Sequence, residues 1–178
     1  MPGQHIELQR VTRITIDAVG PPGQRVFLLQ ASDALDTITL KLEKEQARAL
    51  AYKAQELLEA IDKQFFADRP DPEANAPTPD LLLSGPLEPL FAIGQMGLGY
   101  DSQRDRVVLA VQELMLEEDA PNPSTVQFWI TRTQLRAMSE HALQVIQHGR
   151  PICPLCGQPI DPDGHFCPPQ NGHPRHVQ

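Results

Sequence analysis

The chain has little cysteine, few aromatic residues and no long apolar run, and each shortage excludes a class of protein. Its 178 residues include three cysteines and one tryptophan. An odd number of cysteines, all near the C-terminus, argues against a framework of paired disulfides. No apolar run approaches the roughly 18–20 residues of a membrane-spanning helix, and the first residues lack the cationic and apolar segments of a signal peptide. We therefore expect a soluble, cytoplasmic protein with no membrane partner.

A basic surface is also missing from the composition. The chain carries 23 acidic against 15 basic residues, a formal net charge of −8. Extensive binding to a phosphate backbone needs concentrated lysine and arginine, so a nucleic acid is a disfavoured alternative to a protein partner. Apolar residues at 40% and charged residues at 21% have the balance of a globular chain that can fill a core.

Proline is abundant, and its 18 residues divide the chain. Residues 68–86 are rich in proline, which cannot lie inside a helix or a central strand, and we interpret them as an exposed connector. A second cluster interrupts residues 151–178, which are too broken to build a core and need a metal or a docking surface. The predicted organisation is a body over 1–150, with halves 1–67 and 87–150, and a separate tail.

The two halves of the body resemble each other. Residues 42–50 align with 130–138 at a constant separation of 88 positions, and residues 25–29 align with 106–110 at a separation of 81. The matches in the first pair of segments include Lys44 with Arg132, Gln46 with Gln134, Arg48 with Arg136 and Ala49 with Ala137. Agreement in the order of elements predicts an internal duplication, with two halves related by a pseudo-twofold axis.

Each half has the pattern of three strands followed by one amphipathic helix. Alternating apolar residues indicate half-buried strands, and a helix over 43–66 presents one apolar stripe. In the second half, Thr131 and Gln134 have the spacing of a capping box, and Gly149 is placed to end that helix. Short connections favour antiparallel pairing. The prediction is an α+β fold with a β-β-β-α plan in each half. The predicted strands are 14–18, 26–31, 38–42, 91–100, 107–111 and 126–130.

The tail carries the strongest chemical motif. Cys153 and Cys156 are separated by two residues and followed by glycine, the spacing with which two thiolates hold one zinc ion. A tight turn at 161–164 returns the chain to Cys167, the predicted third ligand, and the fourth is His165 or His173. Three thiolates weaken the Lewis acidity of the ion, which favours a structural Zn²⁺ over a catalytic one. A redox-active or merely buried cysteine pair is the alternative, but the strand and helix of a thioredoxin-like context do not precede it.

These residues also resemble a known family. The tail from Cys153 to Pro168, the segment 20–31, the segment 97–101 and the run 42–46 are similar to a bacterial family of uncharacterised proteins. The resemblance spans nearly the whole chain and implies the two-part plan and the metal-binding tail. It implies no activity.

Two classes of function follow from these patterns. The first is a non-catalytic binding or adaptor protein whose body presents a surface to a protein partner. The second is an enzyme that acts on an anionic small molecule between the halves, with Arg25, Arg106 or the matched helix arginines Arg48 and Arg136 as its anion contacts. The sequence lacks a recognisable nucleophile–base pair and a phosphate loop, which favours the first class.

Overall fold

The protein has an α+β fold, as predicted. The computed structural model describes residues 3–21, 23–117, 122–148 and 154–156, and the backbone of 165–166 and 174–175. In these residues the strands are β1 (His5–Leu8), β2 (Arg13–Val19), β3 (Val26–Ser32), β4 (Thr37–Leu42), β5 (Ile93–Asp101), β6 (Arg106–Glu113), β7 (Thr125–Ile130), β8 (His165–Phe166) and β9 (Pro174–Arg175). The helices are α1 (Lys44–Phe65) and α2 (Arg132–Gln147).

The strands of the body form two sheets. β2, β3 and β4 make an antiparallel three-stranded sheet, and β1, β7, β6 and β5 make a four-stranded sheet in that order. The antiparallel prediction is correct for the strands joined by short connections. β1 was not predicted, and it pairs with β7 in parallel. The reason is that β1 belongs to the first half of the chain and adds to the sheet of the second, so no short turn constrains its direction.

Both helices begin with a capping box. At the start of α2, the Thr131 side chain accepts a hydrogen bond from the Gln134 backbone and the Gln134 side chain caps the Thr131 backbone, as predicted. Glu43 and Gln46 make the same reciprocal pair at the start of α1. These bonds satisfy backbone donors that a helix N-terminus leaves without partners. Gly149, the predicted end of α2, lies outside the described residues.

The two capping glutamines show how the halves interlock. The Gln46 side-chain amide donates to the carbonyl of Ile93, the first residue of β5, at 2.9 Å. The Gln134 side-chain amide donates to the carbonyl of Val11, two residues before β2, also at 2.9 Å. Each helix is therefore tied to the other half, which is the relation expected for a pseudo-twofold pair.

The edge strands are exchanged in the same way. β1 runs beside β7, and residues 90–92 run in parallel beside β4, where the Leu90 amide donates to the carbonyl of Thr39 at 2.8 Å. α2 packs against β2, and α1 packs against α2 and β5. One continuous apolar core results, and it includes residues from both sheets and both helices.

The strand pairing corrects one detail of the repeat alignment. Leu29 pairs with Leu40, and Leu109 pairs with Phe128, and all four side chains are buried. Leu29 thus corresponds to Leu109, whereas the separation of 81 positions matched it with Ala110. A shift of one residue moves a strand's side chains to the opposite face, so the buried positions decide the register.

No helix in the described part of the chain combines the length and apolarity needed to span a bilayer.

Candidate functional site

The predicted zinc ligands fall mostly outside what the structure describes. Cys153, Cys167 and His173 lie outside the described residues. Cys156 ends a turn over 154–156 and is half-buried. His165 is described only as backbone, in β8, where it pairs with Arg175 of β9. Among the described residues there is no group of three or more candidate metal-ligating side chains, so the zinc site stays a prediction.

The arginines proposed for an anion pocket between the halves do not converge. Arg48 pairs with Glu45 in its own helix, and Arg136 lies 3.5 Å from Asp62 of α1. Arg25 donates to the carbonyl of Val145 at 2.8 Å. Each of the two helix arginines thus has a carboxylate partner within the protein, which is the alternative to binding a shared anion.

Arg25 and Arg106 lie in two different concavities. The first, of about 300 Å³, is formed by the β2–β3 turn and the start of α1, and Arg25 shares it with Lys41 and Lys44. Arg106 lines a second one on the four-stranded sheet. The described residues therefore do not unite these two arginines in one site.

A buried arginine that sequence reasoning missed is the centre of the main electrostatic cluster. The side chain of Arg132 is fully buried and makes two bonds to Asp71 in the connector, at 2.7 and 2.8 Å. It makes two more to Asp105 in the β5–β6 turn, at 2.7 and 2.8 Å. The ring of Phe66 lies 4.1 Å from the guanidinium carbon. Arg132 therefore joins the connector, a hairpin turn and the start of α2.

The ionisation of this cluster is strongly shifted. The hydrogen bonds that Arg132 donates to Asp71 lower the pKa of that carboxyl to about 2. The bonds that it donates to Asp105 lower the pKa of Asp105 as well. Its bonds to Asp105 and Asp71 raise the pKa of Arg132. Burial, with a hydrogen bond to Asp105, raises the pKa of Tyr100 to about 12. These shifts hold every group in its ordinary charge state at neutral pH, which is typical of a structural network rather than of an acid–base pair.

One sequence signal could have pointed to this cluster. Arg132 is the first residue of α2, and a cation at a helix N-terminus is disfavoured by the helix dipole. An arginine at that position therefore needs carboxylate partners. Glu73 places the negative charge that the helix dipole favours at the N-terminus of α2. The backbone N–H and the hydroxyl of Thr133 both donate to its carboxylate at 2.6 Å.

The connector is mostly exposed and contains no helix or strand, but it is hydrogen-bonded to the three-stranded sheet. Residues 81–86, which we call the strap, cross the outer face of the three-stranded sheet. Gln30 is fully buried beneath them, and its side-chain amide donates to the carbonyl of Ser84 at 2.7 Å while accepting from the Ser84 amide at 2.9 Å. The side chain therefore pairs with the strap much as a strand would.

The neighbours of Gln30 hold the two ends of the strap. Thr15 on β2 donates to the carbonyl of Leu81 at 2.8 Å, and Thr39 on β4 donates to the carbonyl of Pro86 at 3.2 Å. Thr15, Gln30 and Thr39 form one cross-strand row. The strap thus adds hydrogen bonds to a row of buried polar side chains, two of which, Gln30 and Thr39, also bond to each other at 3.0 Å.

The outer face of the four-stranded sheet has no such cover in the described residues. Two cross-strand rows form a shallow groove of about 330 Å³, which we call the open groove. The rows are Gly97–Ala110–Gln127 and Gln95–Gln112–Thr125. Gln95, Gly97 and Gln127 are exposed, and a Cβ atom placed on Gly97 would have no described heavy atom within 4 Å.

An arginine cluster flanks the open groove on the same face. Arg10, Arg104 and Arg106 surround Trp129 in a concavity of about 410 Å³. Arg104 lies over the Trp129 ring at 5.5 Å, and the indole N–H donates to Glu7 at 2.9 Å. Trp129 is two positions beyond Gln127 on β7. This local basic patch is not visible in the sequence because its residues come from three separate segments.

The comparisons with known proteins identify a family without an assigned activity. Neither the curated proteins nor the solved structures include a match to this chain. A family model described as a protein of unknown function, DUF3090, matches residues 6–167. This match confirms the expected resemblance to an uncharacterised family and extends to Cys167 in the tail. The chain belongs to the DUF3090 family of proteins of unknown function.

Proposed function

We propose that this protein is a non-catalytic binding protein of the cytoplasm, with a body that presents the open groove to a protein partner and a tail that holds one structural zinc ion. The observation that carries the binding role is the contrast between the two sheets. In the part of the chain that the structure describes, the strap covers the outer face of one sheet and no residue covers the outer face of the other, where the amide side chains of Gln95 and Gln127 are exposed.

The ionisable groups of the body support a binding role over chemistry. The two carboxylates whose pKa values Arg132 lowers, Asp71 and Asp105, are both ion-paired with its side chain. A general acid or base needs a pKa near the working pH and access to a substrate proton. These carboxylates have lowered pKa values and no proton to donate at neutral pH.

The zinc proposal rests on the tail's sequence and gains support from its backbone pairing. The proposed ligands are Cys153, Cys156 and Cys167, with His165 or His173 as the fourth. Phe166 pairs with Pro174, and these two residues are the chain neighbours of Cys167 and His173. His165 is two positions from Cys167 along the chain. The zinc would stabilise a proline-interrupted segment that cannot build its own core.

Purification of the full chain from its native source tests both parts of this proposal. We expect one zinc ion per chain by metal analysis, and a co-purifying protein. Of two single variants, H165A and H173A, the one that removes the fourth ligand should lower the zinc content. A chain that carries no metal would refute the zinc site, and a chain that carries a metabolite instead of a protein would refute the binding role.

An enzyme acting on an anionic small molecule is the second candidate. The arginine cluster around Trp129 favours it, because three guanidinium groups beside an aromatic ring suit a phosphorylated or carboxylated ligand. The two candidates differ in one outcome. A bound anion that protects Trp129 fluorescence from quenching would favour the enzyme, and a protein bound over Gly97 would favour the binding module.

A further inference from the structure

β5 forms one edge of the four-stranded sheet, and its outer side is unpaired over most of its length. The Gln46 side-chain amide contacts the carbonyls of Ile93 and Gly94. Beyond them, no described strand lies along the outer side of residues 95–101. Alternate residues of an edge strand point their N–H and C=O groups away from the sheet. The backbone here therefore offers a row of hydrogen-bonding groups that another strand would satisfy.

The corresponding edge of the other sheet, β2, is bonded to a helix. Asp17 on β2 contacts His141 of α2 at 3.0 Å. By the register of the two halves, Gly99 takes the place of Asp17, and Lys53 of α1 takes the place of His141. Glycine has no side chain with which to reach the helix, and a concavity of about 430 Å³ lies between α1 and β5.

This concavity is mainly apolar. Its lining consists of Ala49, Leu50 and Lys53 of α1 and residues 96–98 of β5. Met96 and Leu98 are half-buried and pack against the core. A strand added to this edge would place alternate side chains over the concavity, because alternate residues of a strand point to one face. The edge therefore fits a strand with apolar residues at every second position.

β5 is itself such a strand, and it carries no charged residue between positions 93 and 100. Native edge strands are commonly protected by charged side chains or proline, and β2 carries Arg13 and Asp17. A twofold interface needs a surface that is complementary to itself. An antiparallel pair of β5 strands centred on Gly97 meets this condition, because Met96 of each copy would lie beside Leu98 of the other.

The helix beside this edge has no net charge. α1 contains four basic and four acidic residues, which are Lys44, Arg48, Lys53 and Lys63 against Glu45, Glu56, Glu59 and Asp62. The whole chain has a net charge of −8, and acidic surfaces of two copies repel each other. A neutral strand beside a neutral helix lets two copies meet without that repulsion, and it gives no counter-charge to a strongly charged partner.

From these observations we propose that two copies of this chain associate by antiparallel pairing of their β5 strands, about a twofold axis near Gly97. Two four-stranded sheets would then form one continuous sheet, with the two α1 helices on its inner face. The pairing satisfies the outward backbone groups of both strands and covers the apolar concavity. This inference goes beyond the proposed function, since it places two open grooves on one surface.

Sedimentation of the full chain over a range of concentrations is the direct test. We expect the mass to rise from that of one chain to that of two between about 1 and 100 μM, as for a small interface. Hydrogen exchange of the backbone amides in 95–101 should slow at least about threefold over the same range, because the dimer pairs the amides that point outward.

A pair of charge variants tests the register. A Cβ atom on Gly97 would have no described heavy atom within 4 Å, so a longer side chain fits there in the monomer. Gly97→Lys places like charges opposite each other, and dimer affinity should fall at least about fivefold at low salt. Gly97→Glu should have the same effect, and an equimolar mixture of the two variants should restore association. Gln127→Lys, exposed on the central strand β7, is the matched control and should leave affinity unchanged.

Several results would overturn the inference. They are a chain that stays monomeric up to about 1 mM, a dimer whose affinity Gly97→Lys leaves unchanged, an equal loss of affinity in Gln127→Lys, and a mixture of the two charge variants that does not associate. Slow exchange of the 95–101 amides in a monomer would also refute it, because another part of the same chain would then cover this edge. A monomer that co-purifies with a protein would refute the dimer and leave the proposed function standing.

Discussion

Replacing Arg132 with methionine tests whether this one side chain holds the connector to the body. Methionine keeps the apolar stem above Phe66 but leaves Asp71 and Asp105 without their cation. Breaking a buried ion pair on one side costs about 3–5 kcal/mol. Here the two carboxylates keep 25% and 28% of their side-chain exposure, so water compensates part of the loss. We expect the free energy of unfolding to fall by about 2–4 kcal/mol.

Urea unfolding at pH 7, followed by circular dichroism, measures this loss. Arg136→Met is the matched control, because Arg136 is one turn away, is 40% exposed and lies 3.5 Å from Asp62. Exposed pairs of this kind contribute about 0–1 kcal/mol. If the two variants lost the same stability, the buried network would have no special role and the reasoning would be wrong.

The same network predicts how stability depends on pH. The pKa of Asp71 in the folded chain is about 2, below the ordinary value of 3.8, and the pKa of Asp105 is also lowered. A lowered carboxyl pKa stabilises the fold above the unfolded-state value, and that stabilisation is lost as the pH falls through the folded-state value. Wild-type stability should therefore decline between about pH 4 and pH 2, and Arg132→Met should decline less steeply there. Parallel profiles would contradict this account.

Three further predictions concern the caps, the strap and the tail. Gln134→Ala should lower the free energy of unfolding by about 1–2 kcal/mol, because one side chain caps α2 and bonds to Val11; denaturant unfolding measures the change. Gln30→Ala should speed hydrogen exchange of the Ser84 amide at least about tenfold, since its acceptor is removed; an unchanged rate would show that the strap is held by other contacts. Cys156→Ser should abolish zinc binding by metal analysis and leave the melting temperature of the body unchanged, and collapse of the body would refute the division into body and tail.

The helices and most strands of the body were predictable because their signals are local. The predicted helix over 43–66 matches α1, and Thr131 and Gln134 form the predicted cap. β1 was missed because its four residues alternate weakly and its partner, β7, lies more than a hundred positions away. The register of β3 against β6 was off by one residue, because similar residue types obscured which face is buried.

The site was less predictable than the fold. Asp71 and Asp105 are separated from Arg132 by 61 and 27 positions, and the spacing along the chain does not indicate that they meet. The strap likewise depends on Gln30 and Ser84, 54 positions apart. A proline-rich segment is typical of a connector, and its sequence alone does not reveal a sheet beneath it.

The exchange of β1 and residues 90–92 between the sheets has a consequence for how the chain can be divided. Neither half supplies every strand of its own sheet, because an edge segment of each sheet comes from the other half. The capping glutamine of each helix is also bonded to the backbone of the other half. Severing the chain within the connector would consequently yield two fragments that must associate to fold, so cooperative stability belongs to the pair. A destabilising substitution in one half should therefore raise the hydrogen-exchange rates of backbone amides throughout the other half by the same factor.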